Sequence, residues 1–317
     1  MEKTAKKRRR LKIALIVLAV LLVLIVGALA FAGNYLFRFA LDPQFGGMIS
    51  SYEEEDLALE GKYAWFAESS EDRWLTSHDG LVLHGLYLAQ PQESHKYAVI
   101  CHGYGSIPQY GGGFAAKFYE MGYSVLAPAA RAHELSEGRY AGMGWPERRD
   151  IVAWVDSIVE QDPDAEIALF GVSMGGATVM MTAGEADLSP NVKCAIEDCG
   201  YSSVWDEFAG QLDEMFHLPT FPVLDAASLV TRLRAGYGFK EASAVEQLKK
   251  TKLPMLFIHG EEDTFVPYWM LDVVYGACGS AEKEKLSVPG AAHGGAAGTD
   301  PELYWSTVEA FLNKYMD

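Results

Sequence analysis

The stretch EIALFGVSMGG, residues 166–176, decides the fold. Its first five residues form a short, mostly apolar run that indicates a buried strand, and a helix is predicted over residues 174–183. Between them lies the pattern G-x-S-x-G, with Gly171 and Gly175 on either side of Ser173. Because glycine has no Cβ, the chain can turn sharply there and present the serine hydroxyl at the amino-terminal end of the helix. The residues therefore predict a nucleophilic serine on a strand-to-helix turn.

Short apolar runs alternate with helical patterns on both sides of this turn. Further strands are predicted at residues 97–101, 123–127, 192–197, 253–258 and 284–288, and further helices at 111–121, 146–159, 268–276 and 301–315. Residues 72–77 and 80–88 flank an Asp-Gly turn, which predicts an antiparallel hairpin at the sheet edge. Strands separated by crossover helices predict an α/β fold with a mostly parallel sheet flanked by helices. Residues 201–250 break the alternation and predict a small helical cap, with helical pieces at 203–216 and 242–249.

A serine nucleophile needs a base, and the base needs an acid that orients it. The predicted strand 253–258 is followed by HGEEDTFVP, residues 259–267, where Asp263 is favoured because the apolar residues after it can hold it in place. The strand 284–288 is followed by PGAAHGG, residues 289–295, where His293 lies in a loop of small residues. The order Ser173, Asp263, His293 matches that of hydrolases with a nucleophile elbow. These three residues are the predicted catalytic triad.

The remaining parts of a site are predicted from two regions. The strand 97–101 is followed by His-Gly-Tyr, residues 102–104. The backbone N–H groups of Tyr104 and Met174 can therefore point at the same substrate oxygen, which predicts an oxyanion hole. Aromatic residues of the cap and one beyond it either line an apolar substrate pocket or pack the cap onto the sheet; they are Tyr201, Trp205, Phe208, Phe216 and Trp269. The sequence contains no H-E-x-x-H or C-x-x-C pattern, so we expect no metal and no cofactor.

The charge is unevenly distributed along the 317 residues. Residues 1–12 contain seven of the 26 basic and one of the 43 acidic residues, so the remainder has 19 basic and 42 acidic residues and a net charge of −23. A body this acidic repels phosphate backbones, which excludes nucleic acid as an expected partner. The basic head instead precedes an apolar run.

That run, IALIVLAVLLVLIVGALAFA at residues 13–32, has no charged or strongly polar residue. Twenty residues of helix span roughly 30 Å, the thickness of a bilayer's hydrocarbon core. We expect a basic cytoplasmic head at 1–12, a transmembrane anchor at 13–33, a linker at 34–64 and an exported catalytic domain at 65–317. A cleaved signal peptide is the alternative, but its apolar region is usually only 7–15 residues long.

Two segments after the predicted fourth strand carry a resemblance to a known family. RAHELSEG, residues 131–138, resembles an R-G-H-G-x-S-x-G stretch, and GMGWPERRD, residues 142–150, resembles a G-x-x-E-x-x-D segment. With the motifs above, residues 65–317 resemble the α/β-hydrolase superfamily, in particular the serine aminopeptidase-like and BEM46-like hydrolases. The sequence departs from that pattern at Ala130, Ala132 and Glu134.

The residues and the resemblance together predict a serine hydrolase that forms an acyl-enzyme. Its expected substrate is a small-molecule ester or amide, and the cap aromatics favour a carboxylesterase acting on apolar or aromatic esters. A peptidase, a thioesterase or a lipase-like hydrolase would use the same triad. A catalytically silent, membrane-tethered binding protein on the same fold is the remaining alternative.

Overall fold

The computed structural model describes residues 2–45 and 60–316. Residues 46–59 of the predicted linker lie outside the described residues. Within the described residues, eight strands form one sheet in the order β1-β2-β4-β3-β5-β6-β7-β8. The strands are β1 (Glu71–Thr76), β2 (Val82–Leu88), β3 (Lys96–Cys101), β4 (Ser124–Pro128), β5 (Glu166–Val172), β6 (Val192–Asp198), β7 (Met255–Gly260) and β8 (Lys283–Val288). The β1–β2 and β2–β4 pairs are antiparallel and the other pairs are parallel, which confirms the predicted mostly parallel sheet.

Helices cover both faces of the sheet. They are α1 (Glu2–Leu41), α2 (Lys62–Ser69), α3 (Gly112–Glu120), α4 (Glu147–Gln161), α5 (Met174–Thr182), α6 (Val204–Phe216), α7 (Thr220–Ala235), α8 (Ala244–Leu248), α9 (Trp269–Ala277), α10 (Ala296–Thr299) and α11 (Pro301–Tyr315). Residues of α4, α5 and α9 share one apolar core, and residues of α2, α3 and α11 share the other. Strand β5 contributes Ile167 and Leu169 to the first core and Ala168 and Phe170 to the second, because successive side chains of a strand point to opposite faces.

The arrangement of the parallel strands positions the site. Strands β3, β5, β7 and β8 run in the same direction, so the segments that follow them meet at one edge of the sheet. Three of these segments carry Ser173, Asp263 and His293, and the fourth carries Tyr104. Ligands of open α/β sheets generally bind outside the carboxyl ends of the strands.

The cap lies between β6 and β7 and contains α6, α7 and α8. The first and last agree with the predicted helical pieces, whereas α7 was not predicted. Its two prolines explain the omission, because proline interrupts a helix when it lies in the interior. Here Pro219 precedes α7, and the helix is interrupted at Phe221 (φ −89°, ψ 133°), so Pro222 begins its continuous part, where the missing N–H would have had no intrahelical acceptor.

Helix α1 is longer than the predicted anchor. It continues without a break through residues 34–41, the first part of the predicted linker, because that part packs against the cap. Phe37 and Leu41 are fully buried, and the backbone of Gly33 touches α7 so closely that a Cβ there would lie 2.7 Å from the carbonyl carbon of Ala226. The Tyr104 hydroxyl also donates a hydrogen bond to the carbonyl of Ala40. The end of α1 is therefore part of the folded domain.

Candidate active site

Ser173 lies on a tight turn between β5 and α5, with φ 58° and ψ −119°. This is a sparsely populated conformation for a residue with a side chain, and such strain is commonly found at functional sites. The turn is possible because its neighbours are small: a Cβ on Gly175 would lie 2.0 Å from the carbonyl oxygen of Cys101. The Ser173 N–H donates to the carbonyl of Asp198 at 2.8 Å, which ties the turn to β6.

A chain of hydrogen bonds leads from Ser173 into the protein. Nε2 of His293 lies 2.8 Å from the Ser173 Oγ, and Nδ1 of His293 lies 2.7 Å from Oδ2 of Asp263. The other carboxylate oxygen, Oδ1, accepts the backbone N–H groups of Phe265 and Val266 at 3.0 and 2.9 Å. The residues after Asp263 therefore fix the carboxylate, and the carboxylate orients the imidazole.

Asp263 is buried in a polar environment. Burial raises the pKa of Asp263, but hydrogen bonds from His259 and His293 outweigh that effect and lower the pKa to about 2. The imidazole of His259 contributes through Nε2, which lies 3.2 Å from Oδ2 of Asp263 and 2.9 Å from the carbonyl oxygen of Val266. Asp263 is thus ionised at neutral pH and can stabilise a positive charge on His293.

Two backbone segments border the Ser173 hydroxyl. Met174 is the first residue of α5, so its N–H has no intrahelical acceptor. The turn after β3 lies alongside, since a Cβ on Gly103 would be 3.5 Å from the Cβ of Ser173. His102 holds this turn: its Nδ1 contacts the carbonyl of Gly103 at 2.8 Å, and its Nε2 accepts the N–H of Ala130 at 2.9 Å. Burial lowers the pKa of His102 to about 3, so its imidazole is uncharged and holds the turn through these two hydrogen bonds.

The largest cavity found among the described residues opens onto Ser173 and has a volume of about 480 Å³. Aromatic walls are provided by Tyr110, Phe114 and Phe265, and Tyr104 and His293 also line it. Phe265 is two residues from Asp263, and its ring centroid lies 4.9 Å from that of His293. Proximity in sequence to Asp263 could have identified Phe265, whereas Tyr110 and Phe114 reach the cavity only because α3 folds back after the turn at Gly103.

The aromatic residues predicted as pocket walls do not line this cavity. Tyr201 and Phe208 line a small second pocket on the cap side of Ser173. Trp205 lies below the Lys240 ammonium at 3.8 Å, and the side chain of Trp269 is 52% exposed on the surface. Phe216 packs instead against the end of α1, with its ring 5.6 Å from that of Phe39. Of the five residues, Tyr201 and Phe208 thus line a pocket that Ser173 shares, whereas Trp205, Phe216 and Trp269 lie away from Ser173.

The cap-side pocket contains one carboxyl group. Glu207 is buried there with Gln211, whose Nε2 donates to Oε1 of Glu207 at 3.2 Å, while Oε2 has no hydrogen-bond partner among the described residues. Burial raises the pKa of Glu207 to about 8, so the carboxyl is largely neutral at neutral pH. Tyr201 closes the pocket and donates its hydroxyl to the carbonyl of Met143 at 3.0 Å.

Two groups of side chains among the described residues bring metal-ligand atoms within 4.8 Å of one another; they are Cys199, Asp263 and His293, and His78, Asp79 and Asp150. In the first, Asp263 and His293 are already hydrogen-bonded to each other. In the second, both carboxylates are paired with the Arg131 guanidinium, at 2.6 and 2.5 Å. In both groups the carboxylates already have protein partners.

Comparisons with known proteins support the fold and the family resemblance. A family model described as "Serine aminopeptidase, S33" matches residues 92–197. "Uncharacterized protein YqkD" of Bacillus subtilis is 26% identical over 232 residues, covering 73% of this chain and 75% of the relative. "Protein bem46" of Schizosaccharomyces pombe is 30% identical over 131 residues, 40% of this chain and 38% of the relative. The structure of the esterase Pf2001 of Pyrococcus furiosus matches with a TM-score of 0.63 at 23% identity, covering 85% of this chain and 98% of that chain.

The chain therefore has the α/β-hydrolase fold, and its residues 92–197 match the serine aminopeptidase family model. It resembles the serine aminopeptidase-like and BEM46-like hydrolases within the superfamily. The predicted fold class and the predicted family resemblance are both confirmed, and with them the broad assignment of the chain as a hydrolase.

Proposed function

We propose that this protein is a membrane-anchored serine hydrolase that cleaves carboxylic esters through an acyl-enzyme. The observation that carries the proposal is the continuous hydrogen-bond chain from Ser173 through His293 to Asp263, at the mouth of an apolar cavity. A nucleophile, a base within hydrogen-bond reach and an acid that orients the base are the requirements for this chemistry.

In the first step, Ser173 Oγ attacks the ester carbonyl while Nε2 of His293 takes its proton. The negative charge that develops on the carbonyl oxygen is stabilised by the N–H groups of Met174 and Tyr104. His293 then gives the proton to the leaving alcohol, and the acyl group stays on Ser173. In the second step, His293 takes a proton from water as the water attacks the acyl-enzyme, and it returns that proton to Ser173 Oγ as the bond to the acyl group breaks and the acid leaves.

The walls of the cavity favour an ester over a peptide with a free amino terminus. Such a peptide carries a positive charge that needs a carboxylate partner, whereas none of the described residues lining the 480 Å³ cavity is Asp or Glu. The cap-side pocket contains only Glu207, which the raised pKa keeps largely neutral. Aromatic walls instead suit an apolar or aromatic group on either side of the ester bond.

The amino-terminal helix supports a membrane anchor. Its apolar part is exposed over residues 13–28, and its length is sufficient to cross a bilayer. The helix then continues unbroken to Leu41, where it joins the domain. Basic residues before the apolar run favour a cytoplasmic amino terminus, so the proposal places the catalytic domain on the extracytoplasmic side.

A fluorophosphonate probe, which reacts with activated serines, tests the proposal. We expect the full chain in detergent to be labelled and Ser173→Ala to lose labelling completely. Ser106→Ala is the matched control, because Ser106 lines the same cavity and its replacement should preserve labelling. Parallel rates on p-nitrophenyl esters and aminoacyl amides then separate an esterase from a peptidase. An unlabelled native chain, or faster turnover of the amides, would reject the ester hydrolase.

A further inference from the structure

The loop between α6 and α7 exposes large apolar side chains. We call residues 217–223 the cap tip; the exposed fractions of its side chains include 41% for Leu218 and 76% for Phe221. Residues 215–224 contain no Asp, Glu, Lys or Arg, in a chain with 69 such residues. Contiguous exposed apolar residues of this size usually mark a contact surface.

The packing of α7 on α1 determines where the cap tip lies. Gly33 of α1 touches Ala226 of α7, and further along both helices the guanidinium of Arg234 lies 5.4 Å from the ring centroid of Phe37. Higher residue numbers on α1 therefore contact higher residue numbers on α7, which means that the two helices run parallel. The start of α7 therefore points back towards the apolar run of α1.

The alignment of α7 along α1 shows which part of the apolar run 13–32 lies beside the cap tip. The backbone of α7 leaves the helical conformation at Phe221, so its continuous part begins at Pro222, four residues before Ala226, or about 6 Å at 1.5 Å per residue. The same distance before Gly33 reaches Leu29, which lies within the apolar run 13–32. Burial along α1 agrees, since residues 6–28 are exposed whereas Leu29 is already half-buried. The cap tip thus lies beside the last turns of the proposed membrane span.

We propose that the cap tip is embedded in the apolar layer of the lipid bilayer next to α1. The inference rests on the proposed anchor, because the position of α7 relative to the bilayer follows only from its contacts with α1. The opposite end of α7 carries Arg232 and Arg234, so the helix changes from apolar to basic in the direction away from the bilayer. A domain held by α1 and the cap tip together has a fixed orientation on the membrane, with the cap against the lipid.

Single-cysteine labelling of the full chain in lipid vesicles tests this placement. The four native cysteines are buried, so a thiol-reactive fluorophore should label only an introduced cysteine. We would place it at Phe221→Cys, and at Leu233→Cys as the matched control. Leu233 is on the same helix and is 77% exposed, but it lies twelve residues further from the bilayer. Phe31→Cys reports on the anchor itself, and near-ultraviolet circular dichroism shows that each variant is folded.

The expected result is opposite quenching at the two positions of α7. Nitroxide groups on lipid acyl chains should quench the probe at 221 and spare the probe at 233, and aqueous iodide should do the reverse. Equal iodide quenching at 221 and 233 would overturn the inference. So would a probe at 221 that both quenchers spare, because that shows a protein contact. If lipid nitroxide also spares the probe at 31, both the proposed anchor and the inference are wrong. If it quenches the probe at 31 but not the probe at 221, only the inference is wrong.

Discussion

The two sides of Ser173 are built differently. On the sheet side, the groups around its hydroxyl come from segments that directly follow parallel strands, and hydrogen bonds to the backbone hold Asp263 and the turn at Gly103. On the cap side, the neighbours are Tyr201 and residues of α6, and α6 packs with α7 on the end of α1. The sheet side is therefore fixed by strand ends, whereas the cap side is supported by packing between helices.

The two sides therefore differ in role: one holds the reacting groups, and the other positions the domain. Groups that must hold a reacting geometry lie where the backbone is already fixed by the sheet. The cap instead carries the second pocket beside Ser173 and the proposed membrane contact. Tyr104 connects the two sides, because its backbone belongs to the turn after β3 and its hydroxyl bonds to the carbonyl of Ala40 in α1. Changes on the sheet side should therefore reduce turnover most, and changes on the cap side should act first on stability.

The largest effect is expected for Asp263→Asn. The amide can keep the two backbone hydrogen bonds at Oδ1, but its NH₂ group faces His293 and favours the wrong imidazole tautomer. We expect kcat on a p-nitrophenyl ester to fall by about 10⁴-fold with little change in stability. Glu262→Gln is the control, since Glu262 is an exposed acid of the same loop and its loss should leave kcat unchanged. A larger loss in the Glu262 variant than in the Asp263 variant would show that the acid is misassigned.

The sheet side was largely accessible from the sequence, and the cap side was not. Ser173, Asp263 and His293 each follow a short apolar run and lie among turn residues, so local patterns are sufficient to predict that they meet; their catalytic role remains a prediction. The position of Gly33 illustrates the opposite case. In the sequence it reads as the end of a membrane span, and only the packed structure shows the close approach of α7. Packing between distant segments leaves no periodic signal.

A second prediction concerns the docking of α1. Phe37 is fully buried, and its ring packs against Tyr140 with centroids 4.6 Å apart. Phe37→Ala removes that ring and leaves a cavity, so we expect the free energy of unfolding to fall by about 3–5 kcal/mol. Urea unfolding of the full chain in nanodiscs measures it. Phe31→Ala is the matched control, because Phe31 is on the same helix but 74% exposed, and it should change stability by about 0.5 kcal/mol or less. Equal effects of the two substitutions would show that α1 is not docked.

The smallest effect is expected from the carboxyl group of the cap-side pocket. Because the pKa of Glu207 is raised to about 8, the native state retains a proton that the unfolded chain has already lost above about pH 4.5. The penalty for burying this group therefore grows as the pH rises from about 4.5 to 8.

Glu207→Gln cannot ionise and keeps an oxygen acceptor for Gln211. Relative to the native chain, we expect the variant to gain roughly 3 kcal/mol between pH 5 and pH 8 in urea unfolding. Glu214→Gln removes an exposed carboxylate from the same helix and serves as the comparison. A Glu207 variant whose advantage does not grow with pH would show that Glu207 is ionised in the folded protein, and the cap side would then offer a negative charge within the Ser173 pocket.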